Sequence, residues 1–462
     1  MSIPEAIKGA RAELAAITSW PQKVSRILTY ARIISMELFS TLTIAPYGIR
    51  ARTLHLSLPS YTAPRAGVVS VVKNIPYCSS HPRTTMDIYL PPSNVPPPSD
   101  DTKNDTTTTN TKSPVALFVH GGVWSTGETW HYAPMAVRLA QAGIVTAVMS
   151  YTLYPEALAP DMAVQVSTAL SWTMKNVGRF GGDAEDVTLA GHSAGAQLCA
   201  MALIHRLASL SLSGNGHGDE DGTATQTDSY TKRMPKRFVG VAGVYDIEKH
   251  FEYEEARDVH TLSTMARAVG GRRGFAANSP LLILRAAMRG EVSSRGGTLE
   301  THAPSVAVFE QTQNSRTTTA TTATSIKKKT FFGDAIATRI GLNRVDDPES
   351  TADPNGVCTA AIPIPIHMNQ LAKWPPTVLQ ASVGDVTVPW YESSDFHWAL
   401  HDCHIPVKTL IYGNKVGHGD FVVDWPSNGG DGDRHYRLPD HAVDFINIIR
   451  DPEHTIMYTK KQ

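Results

Sequence analysis

The sequence predicts an α/β fold, with a mostly parallel central sheet of about eight strands and helices on both faces. Short apolar runs rich in Val, Leu and Ile alternate with segments whose apolar residues recur at helical spacing. That alternation is typical of a parallel sheet covered by helices. The predicted strands are 68–72, 85–90, 115–119, 145–150, 187–190, 238–242, 377–381 and 408–412.

Three segments give the clearest helical patterns. A helix predicted over 162–177 carries apolar residues on one face, as a helix that packs on a sheet requires. The helix that follows residue 193 is apolar nearly all round, so we expect it to be deeply buried. A last helix, 441–450, is predicted to pack on the sheet.

The pentapeptide Gly-His-Ser-Ala-Gly at 191–195 directly follows the apolar run 187–190. A serine in G-x-S-x-G between a strand and a helix lies on a tight turn that exposes its hydroxyl and requires small neighbours. We therefore predict Ser193 as a nucleophile. The N–H of Ala194, at the start of the helix, is predicted to stabilise an oxyanion.

A second glycine-rich loop follows the predicted strand 115–119, with the sequence His-Gly-Gly-Val-Trp. An HGG-type loop after the third strand of an esterase supplies the other oxyanion donors. We predict the N–H groups of Gly122 and Val123 as those donors, with Gly121 shaping the loop. Together the two motifs predict an α/β-hydrolase fold.

The acid and the histidine are expected after the serine, in that order. Asp385 follows the predicted strand 377–381, and His418 follows 408–412 between two glycines. Polar residues at the carboxyl ends of parallel strands lie where such sheets bind ligands, although either residue could also be a solvated loop residue. We predict Asp385 and His418 as the partners of Ser193, with Asp246 as the second choice for the acid.

These motifs resemble those of the prenylcysteine methylesterases, α/β-hydrolases that remove the methyl ester from carboxyl-terminal S-prenylcysteine. The similarity runs through 120–127, 132–134, 181–183, 191–196, 243–246 and the segments around residues 385 and 418. It covers about 67–210 well and 237–285 and 370–450 more thinly. His192 departs from the family, where Gln is expected, and we expect its side chain to face away from the reaction.

The resemblance implies hydrolysis of an ester in a small molecule or a prenylated peptide, and we expect no metal or organic cofactor. Trp124, Trp130 and Tyr132 either line an apolar pocket for a prenyl group or pack in the core, and Tyr245 is expected to border the site. Three alternatives remain open. They are a kynurenine formamidase-like enzyme, a general carboxylesterase and an inactive hydrolase-fold binding protein.

Composition agrees with a globular enzyme. The 462 residues have a net charge of −1, which argues against nucleic acid as a partner. Four cysteines show no zinc-like spacing and no disulfide framework, so we expect a reducing compartment. The sequence does not indicate the oligomeric state.

We predict an amino-terminal helical segment at 1–65, a catalytic domain at 66–450 and a tail at 451–462. Low-complexity insertions at 96–113, 211–236 and 289–354 are expected to be largely disordered.

The apolar segment 33–45 is too short to span a bilayer, and we expect no secretory signal before it, because charged residues recur through 5–32. It either packs on the catalytic domain, covering its pocket, or lies at a membrane interface. We expect the protein in the cytoplasm or, as the resemblance implies, on the cytoplasmic face of the endoplasmic reticulum or Golgi.

Overall fold

A computed structural model describes most of the chain. The described residues are 10–11, 13–62, 66–92, 112–212, 233–295, 366–426 and 438–450, without the side chains of 33, 36–43, 210–212 and 291–295. Most of the three predicted insertions and all of the predicted tail lie outside these ranges.

The described strands form one eight-stranded sheet in the order β1-β2-β4-β3-β5-β6-β7-β8. The pairs β1–β2 and β2–β4 are antiparallel, and every other pair is parallel. The predicted mostly parallel sheet is therefore confirmed. The strands are β1 (Ser70–Pro76), β2 (Thr85–Leu90), β3 (Ser113–Val119), β4 (Val145–Met149), β5 (Gly182–His192), β6 (Arg237–Val241), β7 (Thr377–Ser382) and β8 (Val407–Tyr412).

Helices follow most strands. They are α1 (Trp20–Ser57), α2 (Ala133–Gln141), α3 (Ala159–Asn176), α4 (Ala194–Leu212), α5 (Ile247–Ala256), α6 (Met265–Ala268), α7 (Pro280–Arg295), α8 (Met368–Leu371), α9 (Trp390–Asp402), α10 (Asp420–Val423) and α11 (Asp440–Arg450). Short 3₁₀ turns occupy Thr129–Tyr132, Val177–Phe180, Arg272–Gly274 and Ala276–Asn278.

Two apolar cores lie on opposite faces of the sheet. Successive strand residues point to opposite faces, so Leu117 belongs to one core and Phe118 to the other. The first core includes α3 and α4, and the second includes α2 and α11. Helices on both faces are thus confirmed. The predicted deep burial of the helix after Ser193 is also confirmed, because Leu198 and Leu203 of α4 are fully buried.

In the amino-terminal segment, Trp20–Ser57 form a 38-residue helix, α1, that continues through Pro46. Its second half docks on the sheet domain. The hydroxyl of Tyr47 donates to the carbonyl of His131 at 2.5 Å, and His55 Nδ1 lies 2.9 Å from the hydroxyl of Tyr89. In the part of the chain that the structure describes, no helix has both the length and the apolar character needed to cross a membrane.

Candidate active site

Ser193 lies on a sharp turn between β5 and α4. Its φ is +55°, in the left-handed region that non-glycine residues adopt only under strain. Its backbone N–H donates to the carbonyl of Val241 on β6 at 2.8 Å, which fixes the turn against the neighbouring strand. The predicted nucleophile is therefore held at the carboxyl end of a central strand.

The turn is tight because glycines flank the serine. A Cβ atom at Gly195 would lie 2.2 Å from the carbonyl oxygen of Val119 and 2.5 Å from that of His120. A Cβ atom at Gly191 would lie 2.5 Å from the carbonyl oxygen of Gly195. The backbone at these two positions leaves no space for a larger residue, as the motif predicts.

Gly195→Ala is expected to lower the free energy of unfolding by about 3 kcal/mol, because the added methyl group meets the backbone of β3. Gly178→Ala is the matched control, since no atom lies within 4 Å of a Cβ atom there. We expect it to change stability by less than about 0.5 kcal/mol. Urea denaturation followed by circular dichroism measures both variants. Equal stabilities would contradict the tight packing of the turn.

The structure brings Asp385 and His418 together. His418 Nδ1 lies 2.7 Å from Asp385 Oδ2, and the Asp385 side chain is fully buried. Asp385 Oδ1 accepts the backbone N–H groups of Thr387 at 2.8 Å and Val388 at 2.9 Å. These contacts fix the carboxylate so that it accepts a hydrogen bond from the Nδ1–H of His418. The lone pair of His418 Nε2 is then free to act as a base.

His418 reaches the serine turn through a contact with His192. The two rings are 4.6 Å apart between centroids, and His192 Nε2 lies 3.1 Å from the carbonyl oxygen of His418. Because His192 directly precedes Ser193, this contact brings the His418 ring near the turn that carries Ser193. Among the described residues, no hydrogen bond joins Ser193 Oγ to His418.

The expectation that His192 faces away from the reaction is wrong. The loop after β8 folds back across the end of β5, so the side chain of the last residue of β5 meets the main chain of His418. Burial and the neighbouring His418 hold the pKa of His192 well below its usual value. The His192 imidazole is therefore neutral.

The glycine loop after β3 presents free backbone donors. The N–H of Gly121 donates to the hydroxyl of Tyr132 at 2.9 Å, so it is already used. Within the described ranges, the N–H groups of Gly122 and Val123 donate to no acceptor, and Ala194 opens α4, where N–H groups lack intrahelical acceptors. This arrangement fits the predicted roles, in which Gly121 shapes the loop and the other three residues supply donors.

The loop is rigid because buried side chains hold it. The His120 ring stacks on Tyr151 at 4.3 Å, and the Tyr151 hydroxyl donates to the His120 carbonyl at 2.9 Å. Burial lowers the pKa of His120 to about 4, so this ring is neutral near pH 7. The hydroxyl of Thr264 donates to the carbonyl of Val123 at 2.7 Å, and Val123 has a φ of +51°.

The aromatic residues predicted to contact substrate make contacts within the protein. Trp124 is buried, with Nε1 donating to the side-chain oxygen of Gln197 at 3.0 Å. Tyr132 is buried beneath the glycine loop. Their contacts are those of positioning and packing residues, the second interpretation that the sequence left open.

Two further aromatic residues also pack against protein groups. Tyr245 is fully buried and stacks on Phe396 at 4.1 Å between ring centroids. Trp130 lies beneath the guanidinium of Arg52 on α1, 5.2 Å from its ring centroid. Substrate contact by either ring stays a prediction.

Asp246, the second candidate for the acid, has a different hydrogen-bond partner. Asp246 caps α5, where its side chain accepts the backbone N–H of Lys249 at 3.2 Å. The loop that carries Asp385, called the acid loop, is instead held by one residue of α5 and by the residue that directly follows α5, neither of which the sequence analysis selected. The hydroxyl of Tyr253 and the guanidinium of Arg257 donate to the carbonyl of Val386, at 2.7 and 2.5 Å.

Known proteins resemble this chain over part of its length. Residues 103–270 match the family described as BD-FAE. The isoprenylcysteine alpha-carbonyl methylesterase ICME of Arabidopsis thaliana is 28% identical over 213 residues, which cover 46% of this chain and 43% of that protein. Esterase LipC of Mycobacterium tuberculosis is 34% identical over 154 residues, 32% of this chain and 34% of that protein.

The predicted α/β-hydrolase fold is confirmed. The resemblance to prenylcysteine methylesterases is confirmed as sequence similarity. The chain spans less than half the length of the curated relatives it matches. A solved structure, esterase B from Lactobacillus rhamnosis, aligns over 93% of this chain and 98% of that chain, with a TM-score of 0.49 and 13% identity.

Proposed function

We propose that this protein is a serine hydrolase of carboxylic esters. The observation that carries the proposal is the hydrogen-bonded pair of buried Asp385 and half-buried His418, in which His418 contacts the residue directly before Ser193. A base oriented by a carboxylate, beside a strained serine and free backbone donors, is the arrangement that acyl transfer requires.

In the proposed reaction, Ser193 Oγ bonds to the ester carbonyl carbon as its proton passes to His418 Nε2. The carbonyl oxygen becomes an oxyanion that accepts the N–H groups of Gly122, Val123 and Ala194. The C–O bond to the alcohol then breaks, and the alcohol leaves with the proton from His418. Water repeats the two steps on the acyl-enzyme, which releases the carboxylic acid and restores the serine.

We propose the methyl ester of a carboxyl-terminal prenylcysteine as the substrate. The names of the similar methylesterases support this choice. Exposed apolar side chains also support it. Val123 belongs to the glycine loop that supplies the oxyanion donors, called the oxyanion loop, while Val383 and Val386 lie on either side of Asp385 in the sequence. Their exposed fractions are 41%, 54% and 65%. Exposed apolar residues around a polar reaction centre favour a substrate with an apolar group.

The test compares three substrates under identical conditions. They are an S-farnesylcysteine methyl ester, the same ester with an S-methyl group, and N-formylkynurenine. The proposal expects kcat/KM for the farnesyl ester to exceed that for the S-methyl ester by about 100-fold or more, because a buried prenyl chain adds apolar contacts. Equal rates on both esters would indicate a general carboxylesterase. A preference for the formamide would contradict ester specificity, and no turnover of any substrate would contradict the enzyme.

We also propose that α1 rests on the cytoplasmic face of an anionic membrane, where prenylated substrates partition. One side of the helix carries exposed apolar residues at helical spacing, a pattern typical of interfacial helices. They are Trp20, Val24, Ile27, Leu28 and Ile34. Residues 20–57 contain five Lys or Arg and one acidic residue, Glu37, which suits an anionic lipid surface.

Sedimentation with vesicles of phosphatidylcholine, with and without phosphatidylserine, tests this contact. We expect binding that needs phosphatidylserine and weakens with salt. Leu28→Glu should weaken it strongly, whereas Gln22→Glu, an equal charge change at an exposed polar position, should have a small effect. Binding that is equal for the two variants, or no binding by the wild type, would contradict the proposal.

A further inference from the structure

His192 lies between the two halves of the candidate site. A Cβ atom at Gly121, in the oxyanion loop, would be 3.1 Å from His192 Nδ1 and 3.0 Å from Ser193 Cβ. On its other side, His192 Nε2 lies 3.1 Å from the carbonyl oxygen of His418. The ring therefore contacts both the loop that holds the oxyanion and the main chain of the base.

The surroundings of His192 fix its proton on Nε2. The ring borders a small cavity whose apolar lining includes Phe118, Val241 and Phe421. Among the described residues, Nδ1 is buried and has no hydrogen-bond partner, so a proton there would be unpaired. A carbonyl oxygen can only accept. The His192 ring is thus the neutral tautomer whose Nε2–H donates to the carbonyl of His418.

This hydrogen bond acts on the backbone of the turn that carries the predicted base. His418 is in a loop between Gly417 and Gly419, which allow many backbone conformations. The turn is closed within itself, because the N–H of Gly417 donates to Asp420 Oδ2 at 2.6 Å and the N–H of Asp420 donates to the carbonyl of Gly417 at 3.1 Å. Asp385 orients the ring through Nδ1, but these bonds do not join the turn to the strand that ends at His192. A second bond to the carbonyl of the same residue restrains that backbone, and with it the position of Nε2 relative to Ser193.

We propose that His192 is a positioning residue, which holds the backbone of His418 so that its Nε2 faces the Ser193 hydroxyl. This inference rests on the proposed function. The N–H of His192 is the active group, and its titration plays no part. A side chain of similar length that keeps an N–H donor should replace it, whereas one without a donor should not.

The experiment compares His192→Gln with His192→Met, two side chains of nearly equal length of which only Gln donates a hydrogen bond. We expect His192→Met to lower kcat by roughly 10- to 100-fold with KM changed by less than about threefold, because the base is displaced while the substrate site is intact. His192→Gln should stay within about fivefold of the wild-type kcat. Equal kcat values for the two variants would overturn the proposal.

A second measurement separates this inference from the esterase activity. The proton on His418 Nδ1, held by Asp385, should give a downfield NMR signal in the wild type and in His192→Gln. In His192→Met the signal should broaden or vanish through exchange. An unchanged signal would overturn the positioning role even if no ester is hydrolysed. If His192→Met does not fold, His192→Leu takes its place with the same expected results.

Discussion

Ser193→Ala is expected to lower kcat on short p-nitrophenyl esters by at least about 10⁴-fold, because no other hydroxyl can form the acyl-enzyme. The fold should be retained. Ser193 Oγ makes no hydrogen bond within the described part of the chain, so its removal leaves no buried partner unpaired. Hydrolysis rates and a thermal unfolding curve for the purified variant measure both expectations.

The control for this variant is Ser125→Ala, a serine whose hydroxyl contacts Thr264 at the edge of the oxyanion loop. We expect it to lower kcat by less than about tenfold, because it removes a single neutral hydrogen bond. Turnover by Ser193→Ala near the wild-type rate would contradict the assignment of the nucleophile. If Ser193→Ala loses both its activity and its fold, Ser193→Cys replaces it in the comparison, because Cys keeps a nucleophile of similar size.

Asp385→Asn has the second largest expected effect. The Asn oxygen can still accept the N–H groups of Thr387 and Val388, which turns the amide NH₂ toward His418 Nδ1. The imidazole then carries its proton on Nε2 and cannot take one from Ser193. We expect kcat to fall by about 10⁴-fold with little change in stability.

Asp246→Asn is the matched control, because Asn caps a helix about as well as Asp. Its activity should stay near that of the wild type, since Asp246 caps α5 and has no contact with His418. The rates are measured with the same ester at several pH values. A larger loss in Asp246→Asn than in Asp385→Asn would transfer the acid role to Asp246.

The turn that carries Ser193 and the glycine loop could be predicted from the sequence because short-range backbone sterics determine them. A serine between glycines after an apolar strand can adopt few conformations, so the residues themselves indicate the turn. The positions of the strands could also be predicted from the sequence, because each buried strand is a separate apolar run. The structure places β2 at the predicted residues 85–90 and extends β5 back to Gly182.

The contacts between distant segments could not be predicted from local patterns. His192 and His418 are 226 residues apart, and their contact depends on how the β8 loop folds across β5. The same is true of Tyr253, which holds the acid loop from a position 133 residues away. Trp124 is a large aromatic residue beside two glycines, which is typical of a substrate pocket. In the structure its indole N–H donates to Gln197 in the core. Such pairings exist only after the chain has folded.

The proposed reaction depends most on one claim, that His418 activates Ser193. Reaction with a fluorophosphonate, followed by peptide mass spectrometry, tests it directly, because the reagent bonds only to a serine made nucleophilic by a neighbouring base. The expected result is a single adduct on Ser193 that forms at least about 100 times more slowly in His418→Ala. An adduct on another residue, or labelling of Ser193 that proceeds equally fast without His418, would contradict the claim.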